Sequence, residues 1–134
     1  KMKLLLSILV TLYLSVASGF AQTGSIENTI QNQFNAFQAN DPAMAFEFAS
    51  PFIQRQFSGP EHFGKMVKNG FPMVWNSGEI RFLEQRNIAG VIWQKVMVQD
   101  KKGRIHMLAY QMINQAGSWR INGVQILNAV DANA

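Results

Sequence analysis

Cysteine is absent from the 134-residue chain. No disulfide can brace the fold, and no thiolate can act as nucleophile or metal ligand. A lipoprotein anchor, which needs a cysteine at the cleavage site, has no point of attachment. Histidine is scarce as well. His62 and His106 are the only two, and no ligand spacing joins them, so no metal and no cofactor are expected. Phosphate-cradling glycine loops and the nucleophile-elbow motif are missing. The eight carboxylates mostly have structural explanations: Asp41 and Glu61 as caps, Asp100 in a turn, Glu27 in a first helical turn, Asp131 in the tail. Basic residues gather only at Lys101-Lys102-Gly103-Arg104, a hairpin tip too narrow for a nucleic-acid face.

The chain does contain an export pattern. Lys1 and Lys3 precede an apolar run from Leu4 to Val16, and small residues lead to Gly19-Phe20-Ala21. A basic start, roughly 7–15 apolar residues and small residues at −3 and −1 describe a signal peptide, which places cleavage after Ala21. A retained anchor would need about 20 apolar residues, and Ser15, Ser18 and Gly19 weaken the far end. Residues 1–21 are thus read as a leader and 22–134 as one domain, exported to the periplasm or beyond, with no membrane contact after cleavage. Two of the four net positive charges belong to the leader. Apolar residues make up 48% of the chain, with ten Phe and three Trp, which is enough to build a core without disulfides.

Helical periodicity fills the first half. Ile26, Ile30, Phe34 and Phe37 form one stripe, predicting a helix from Ser25, its N-cap, to Ala39. Asn40-Asp41-Pro42 stops it and caps a second helix over Ala43 to Ala49. Ser50-Pro51 repeats the device before Phe52, Ile53 and Phe57. Ser58-Gly59-Pro60-Glu61 reads as a capping box opening a helix with Phe63, Met66 and Val67, ended by Gly70. Alternation takes over after Asn76-Ser77-Gly78. Strands are predicted over Glu79–Gln85, Val91–Gln99, Arg104–Asn114 and Ser118–Leu127, with turns at Asn87–Gly90, Asp100–Gly103 and Gln115-Ala116-Gly117. Asn122-Gly123 lies inside the last strand and is read as a bulge. The tail from Asn128 is expected to fray.

Helices followed by a four-stranded antiparallel meander make an α+β fold with the helices on one face of the sheet. Two features, the amphipathic first helix ending at Asn40-Asp41-Pro42 and the late Gly117-Ser118-Trp119-Arg120-Ile121, resemble the nuclear transport factor-like superfamily. Ala45-Phe46-Glu47-Phe48-Ala49-Ser50-Pro51, then Met66-Val67 and Gly70-Phe71-Pro72, resemble the bacterial domain of unknown function 4864. The resemblance runs from about Ile26 to Leu127. It implies a curved, cone-like sheet wrapped by helices around a cavity, frequently dimeric through the sheet, and it implies no activity.

Pairing Gln99 with Arg104, and a three-residue loop at Gln115-Ala116-Gly117, assigns the faces. Ile92, Gln94, Val96, Val98, Ile105, Met107, Ala109, Gln111, Ile113, Trp119 and Ile121 would meet the helices. Trp93, His106, Leu108, Tyr110 and Met112 would lie outside, Trp93 directly across from Tyr110. Gln94 and Gln111, with Trp119 and Met107, are then the candidate ligand-binding residues. The alternative is that the two amides bond each other, backbone at the bulge, or water. Trp93, Tyr110, Met112 and Leu108 form a candidate homodimer interface, or else an ordinary cross-strand aromatic pair. Glu84 shares a parity with Ile80 and Phe82. Pointing inward it would have the raised pKa of a general acid; at the rim it would be solvated or paired with Arg86. The leading expectation is a non-catalytic domain that binds a small apolar ligand or a partner protein. The alternative is a small cavity enzyme of the isomerase, cyclase or hydrolase type using Glu84.

Overall fold

The computed structural model describes residues 17–128, with side chains from Ser25 onward. The basic start and apolar run of the leader, and tail residues 129–134, lie outside the described residues. Five helices come first: α1 (Ala17–Gln38), α2 (Pro42–Glu47), α3 (Pro51–Gln54), α4 (Pro60–Gly70) and α5 (Pro72–Trp75). Strands β1 (Ser77–Ile88), β2 (Val91–Asp100), β3 (Ile105–Gln115) and β4 (Ser118–Leu127) follow. They pair antiparallel in the order β1-β2-β3-β4. The α+β arrangement expected from the sequence is the one observed.

Proline organises the helical half. All four prolines of the chain open a helix, α2 to α5 in turn. At the first helical position the missing N–H costs nothing and the fixed φ suits the helix. Asp41 and Ser50 cap as expected, their side chains accepting from Met44 N at 3.0 Å and Ile53 N at 3.2 Å. The capping box does not form. Gly59 is the N-cap of α4, so Glu61 falls one position too early to reach back. His62 takes that role instead, its Nδ1 accepting the Ser58 N–H at 3.2 Å. The N-cap assigned to Ser25 is also corrected. α1 begins at Ala17, and Ser25 is an interior residue whose carbonyl accepts from Thr29 Oγ1. The expected cleavage point after Ala21 therefore falls within α1.

Turn chemistry sets the sheet register, and here the structure departs from the reading of the sequence. Asp100 and Arg104 close the β2–β3 hairpin through Asp100 N to Arg104 O. That leaves a three-residue loop with Gly103 left-handed at φ 83°. Gln99 pairs with Ile105, and Val98 with His106, one residue away from the expected register. A one-residue slip turns a strand over. In β3, Leu108, Tyr110 and Met112 consequently face the helices and are buried, while Met107, Ala109 and Gln111 face outward. The β3–β4 loop is two residues, Ala116-Gly117, with Gln115 paired to Ser118. This second slip cancels the first, so Trp119 and Ile121 remain on the inner face. The bulge at Asn122 is as expected: pairing passes from Met112–Ile121 to Gln111–Gly123.

The core lies between α1 and the inner sheet face. Ile26, Ile30, Phe34 and Phe37 are all buried, against Val96, Val98, Leu108, Tyr110 and Met112. Phe63 of α4 sits among Phe37, Phe46 and Phe57, with ring centroids 5.2–6.0 Å away. Ala49 bridges to Ile121, through Ser50 N to Ile121 O and Ile121 N to Phe48 O, both 2.8 Å. This ties the α2–α3 connection to the edge of β4.

Candidate functional site

The inner sheet face and the helices border a half-open pocket of about 380 Å³. Tyr110, Ile121, Gly123 and Val124 contribute from β3 and β4, and Phe37 from α1. Phe63, Met66 and Val67 come from α4, with Ile53, Phe57, Phe71 and Val74 from the short helices and turns around it. The proline-started helices place these apolar side chains over the β3–β4 side of the sheet. No Asp, Glu, Lys, Arg or His lines the pocket among the described residues. Its polar members are Gln33, Gln56 and Tyr110. Gln33 is buried and donates through Nε2 to Ala45 O at 3.1 Å.

Tyr110 is the unusual member. It is 1% exposed, and its hydroxyl has no hydrogen-bond partner. Burial pushes the phenol pKa well above its ordinary value of 10.0, so the hydroxyl stays protonated and able to donate. Phe34 packs beside it at 6.1 Å between centroids.

The residues singled out from sequence are dispersed. Gln94 is on the inner face and 1% exposed. Its Nε2 donates to Leu83 O and Lys95 O, both at 2.9 Å, so this amide supports an irregularity in β1. Gln111 is on the opposite face, accepting from Asn122 Nδ2 at 2.9 Å. The two amides therefore do not form one floor. Met107 also faces outward, and Trp119 packs against the core away from the pocket. None of these four lines the pocket. Of the expected interface residues, only Trp93 lies on the outer face, opposite Gln111 and not Tyr110. Tyr110, Met112 and Leu108 are core residues, a consequence of the same β3 register.

Glu84 does not point inward. β1 bulges between Phe82 and Gln85, which resets the parity that would have aligned it with Phe82. Its side chain is 47% exposed, 3.0 Å from Lys95 Nζ and 3.7 Å from Arg86 Nη2. The hydrogen bond from Lys95 lowers its pKa, the opposite of what a general acid needs. Glu84, Trp93, Lys95 and Ala109 belong instead to a groove of about 360 Å³ on the outer face.

Two further polar clusters join residues that no sequence motif links. Asp100 Oδ1 accepts from Lys102 N and Arg104 N, while Oδ2 accepts from Arg104 Nε and lies 2.9 Å from His106 Nε2. The His106 contact first, then the N–H donors of the loop, hold the Asp100 carboxyl far below its usual range. The second cluster links Ser50 Oγ to Asn122 Oδ1 at 2.7 Å, and Asn122 Nδ2 to Gln111. Asp at a strand end before Lys-Lys-Gly was the available signal for the first. Nothing in the sequence pointed to the second. Among the described residues, no group of three or more His, Cys, Asp or Glu side chains is placed to hold a metal, and no helix is long and apolar enough to cross a membrane.

The family described as domain of unknown function (DUF4864) matches residues 20–134, and the chain belongs to that family. A search among curated proteins finds no match.

Proposed function

We propose that this member of the DUF4864 family is an exported domain that binds a small, largely apolar molecule between its helices and its sheet. The observation that carries the reading is the uncharged pocket of about 380 Å³, walled by aromatic and aliphatic side chains. That volume falls at the low end of ligand sites, which combine apolar walls with a few polar groups. The helix–sheet order and the pocket also support placing the family in the nuclear transport factor-like superfamily. Export is supported by the leader pattern, a basic start followed by an apolar run and small residues before Gln22.

A second reading, self-association through the outer sheet face, is favoured by one observation. That face carries Trp93, Met97, Met107 and Ala109, half-buried with no helix over them among the described residues, and Ile105 at its end is 55% exposed. Catalysis through Glu84 has weaker support, because its ion pair with Lys95 keeps it ionised.

Native mass spectrometry of the protein purified from its own host tests both readings. The expected spectrum shows the chain with a small molecule that is released on denaturation, and the molecule is lost when Val124→Trp fills the pocket. A bare chain, or an adduct retained by that variant, overturns pocket binding. A mass of one chain at micromolar concentration overturns self-association.

A further inference from the structure

Where the β2–β3 hairpin meets α5, a hollow of about 320 Å³ is lined by Asn76, Asp100, Lys101, Lys102, Arg104 and His106. Three permanent cations thus stand against one carboxylate. That carboxylate is already engaged, with Lys102 N, Arg104 N, Arg104 Nε and His106 Nε2 at 2.9–3.0 Å from its oxygens. The Arg104 side chain is still 68% exposed. Lys101 and Lys102 are exposed, and neither ammonium group pairs with a carboxylate among the described residues. Glu79, at the start of β1, is taken up by Arg81 at 3.3 Å. A second hollow, of about 420 Å³, adjoins the first and shares Asn76 and Lys101 with it. Its polar lining is mostly uncharged, with Gln38, Asn40, Asn76 and Ser77 around the half-buried Trp75 indole. Amides donate and accept at once, which complements a hydroxyl group.

We infer that the two adjoining hollows form one site for a small hydroxylated molecule carrying a phosphate or sulfate group, such as a sugar phosphate. Lys101, Lys102 and Arg104 hold its anion, and the amides around Trp75 meet its hydroxyls. A tetrahedral anion has three oxygens to share among two ammonium groups and a guanidinium, and charge-assisted hydrogen bonds are the strong ones. Asp100 fixes the loop that presents the cations, so little order is lost on binding. The site shares only Phe37 with the apolar pocket and does not depend on the ligand proposed there.

Glucose 6-phosphate, inorganic phosphate and glucose, each titrated into the ¹⁵N-labelled protein and followed by NMR, test the inference. Glucose 6-phosphate is expected to shift the backbone amide signals of Asn76 and of Lys101 to Arg104. It should bind about tenfold more tightly than inorganic phosphate, and glucose should not bind measurably. The double variant Lys101→Gln, Lys102→Gln changes only exposed turn residues, so its other signals should stay in place while glucose 6-phosphate binds about tenfold more weakly. Lys65→Gln, at an exposed lysine of α4, should bind like the parent. Equal weakening by Lys65→Gln would reduce the effect to diffuse charge and overturn the site. Inorganic phosphate binding as tightly as the sugar phosphate would mean an adventitious ion only. Shifts elsewhere in the protein, or none with glucose 6-phosphate, refute the assignment. Loss of binding in Val124→Trp would move the sugar phosphate to the apolar pocket and refute it equally. Co-sedimentation with phosphatidylglycerol vesicles, without any response to glucose 6-phosphate, would make the cations a membrane contact and sink the proposal.

Discussion

Asp100 shows how one side chain can decide a strand's orientation. Its two oxygens gather Lys102 N, Arg104 N, Arg104 Nε and His106 within hydrogen-bond distance, which shortens the loop to three residues and turns β3 over. Because its pKa is lowered by folding, the stability it contributes is fully present above its unfolded pKa of about 4. That stability is lost as the pH falls further below. Asp100→Asn should lower Tm by several degrees at pH 7 and flatten the fall in Tm on going from pH 4 to pH 2. Arg104 and His106 face the carboxyl directly, with Lys101 and Lys102 in the loop, so the same melts at high salt separate this contact from general screening. An Asn variant that melts like the parent at pH 7 would show the cluster to be incidental.

The two outer hairpins are built from one repeated element. Asn87-Ile88-Ala89-Gly90 and Asn114-Gln115-Ala116-Gly117 each place Ala and Gly at positive φ, and each Asn Oδ1 accepts the Gly N–H at 2.9 Å. Positive φ at both central positions is the type I′ geometry that matches strand twist. Alanine is a poor occupant, since its Cβ crowds the backbone in that region. Ala116→Asn is expected to raise stability by about 1 kcal/mol, read as a higher Tm with an unchanged denaturant slope. A drop in Tm would mean that the left-handed alanine is held by contacts other than the turn. At the start of β1 the constraint is steric. A Cβ on Gly78 would lie 2.7 Å from Gln99 O, so the first β1 irregularity has room only for glycine.

At the scale of the whole fold, the helices cover one face of the sheet, and among the described residues no helix covers the other. α1 is the principal cover, and its described buried stripe runs from Ile26 to Phe37. Removal of residues 1–21 at the expected cleavage point would leave every buried side chain described for α1 in place. The intact mass of the protein from the cell envelope or medium should correspond to a chain beginning at Gln22. A mass that retains residues 1–21 would make the N-terminal segment an anchor. The expected cleavage point lies within α1 in the folded chain, so cutting there would require the segment to be still extended, before α1 forms.

Local chemistry made much of this protein legible without coordinates. The apolar stripe of α1, the helix starts at Pro42, Pro51 and Pro60, the caps at Asp41 and Ser50, the four strands and the bulge at Asn122 each depend on residues close in sequence. Strand register does not. The parity of β3 turned on whether the loop after Asp100 held three residues or four, a choice made by side-chain hydrogen bonds to the loop backbone. That choice moved Tyr110 from an expected outer surface to the wall of the pocket and sent Gln111 to the opposite face. Glu84 was displaced by a bulge in β1 that no turn residue announced. The amino-acid sequence by itself determined the α+β fold, the helix starts at Pro42, Pro51 and Pro60 and an interior built without disulfides, while the short helix α5 went unannounced. Only the packed sheet decided which polar side chains meet the pocket, because a one-residue difference in pairing exchanges the two faces of a strand at almost no local cost.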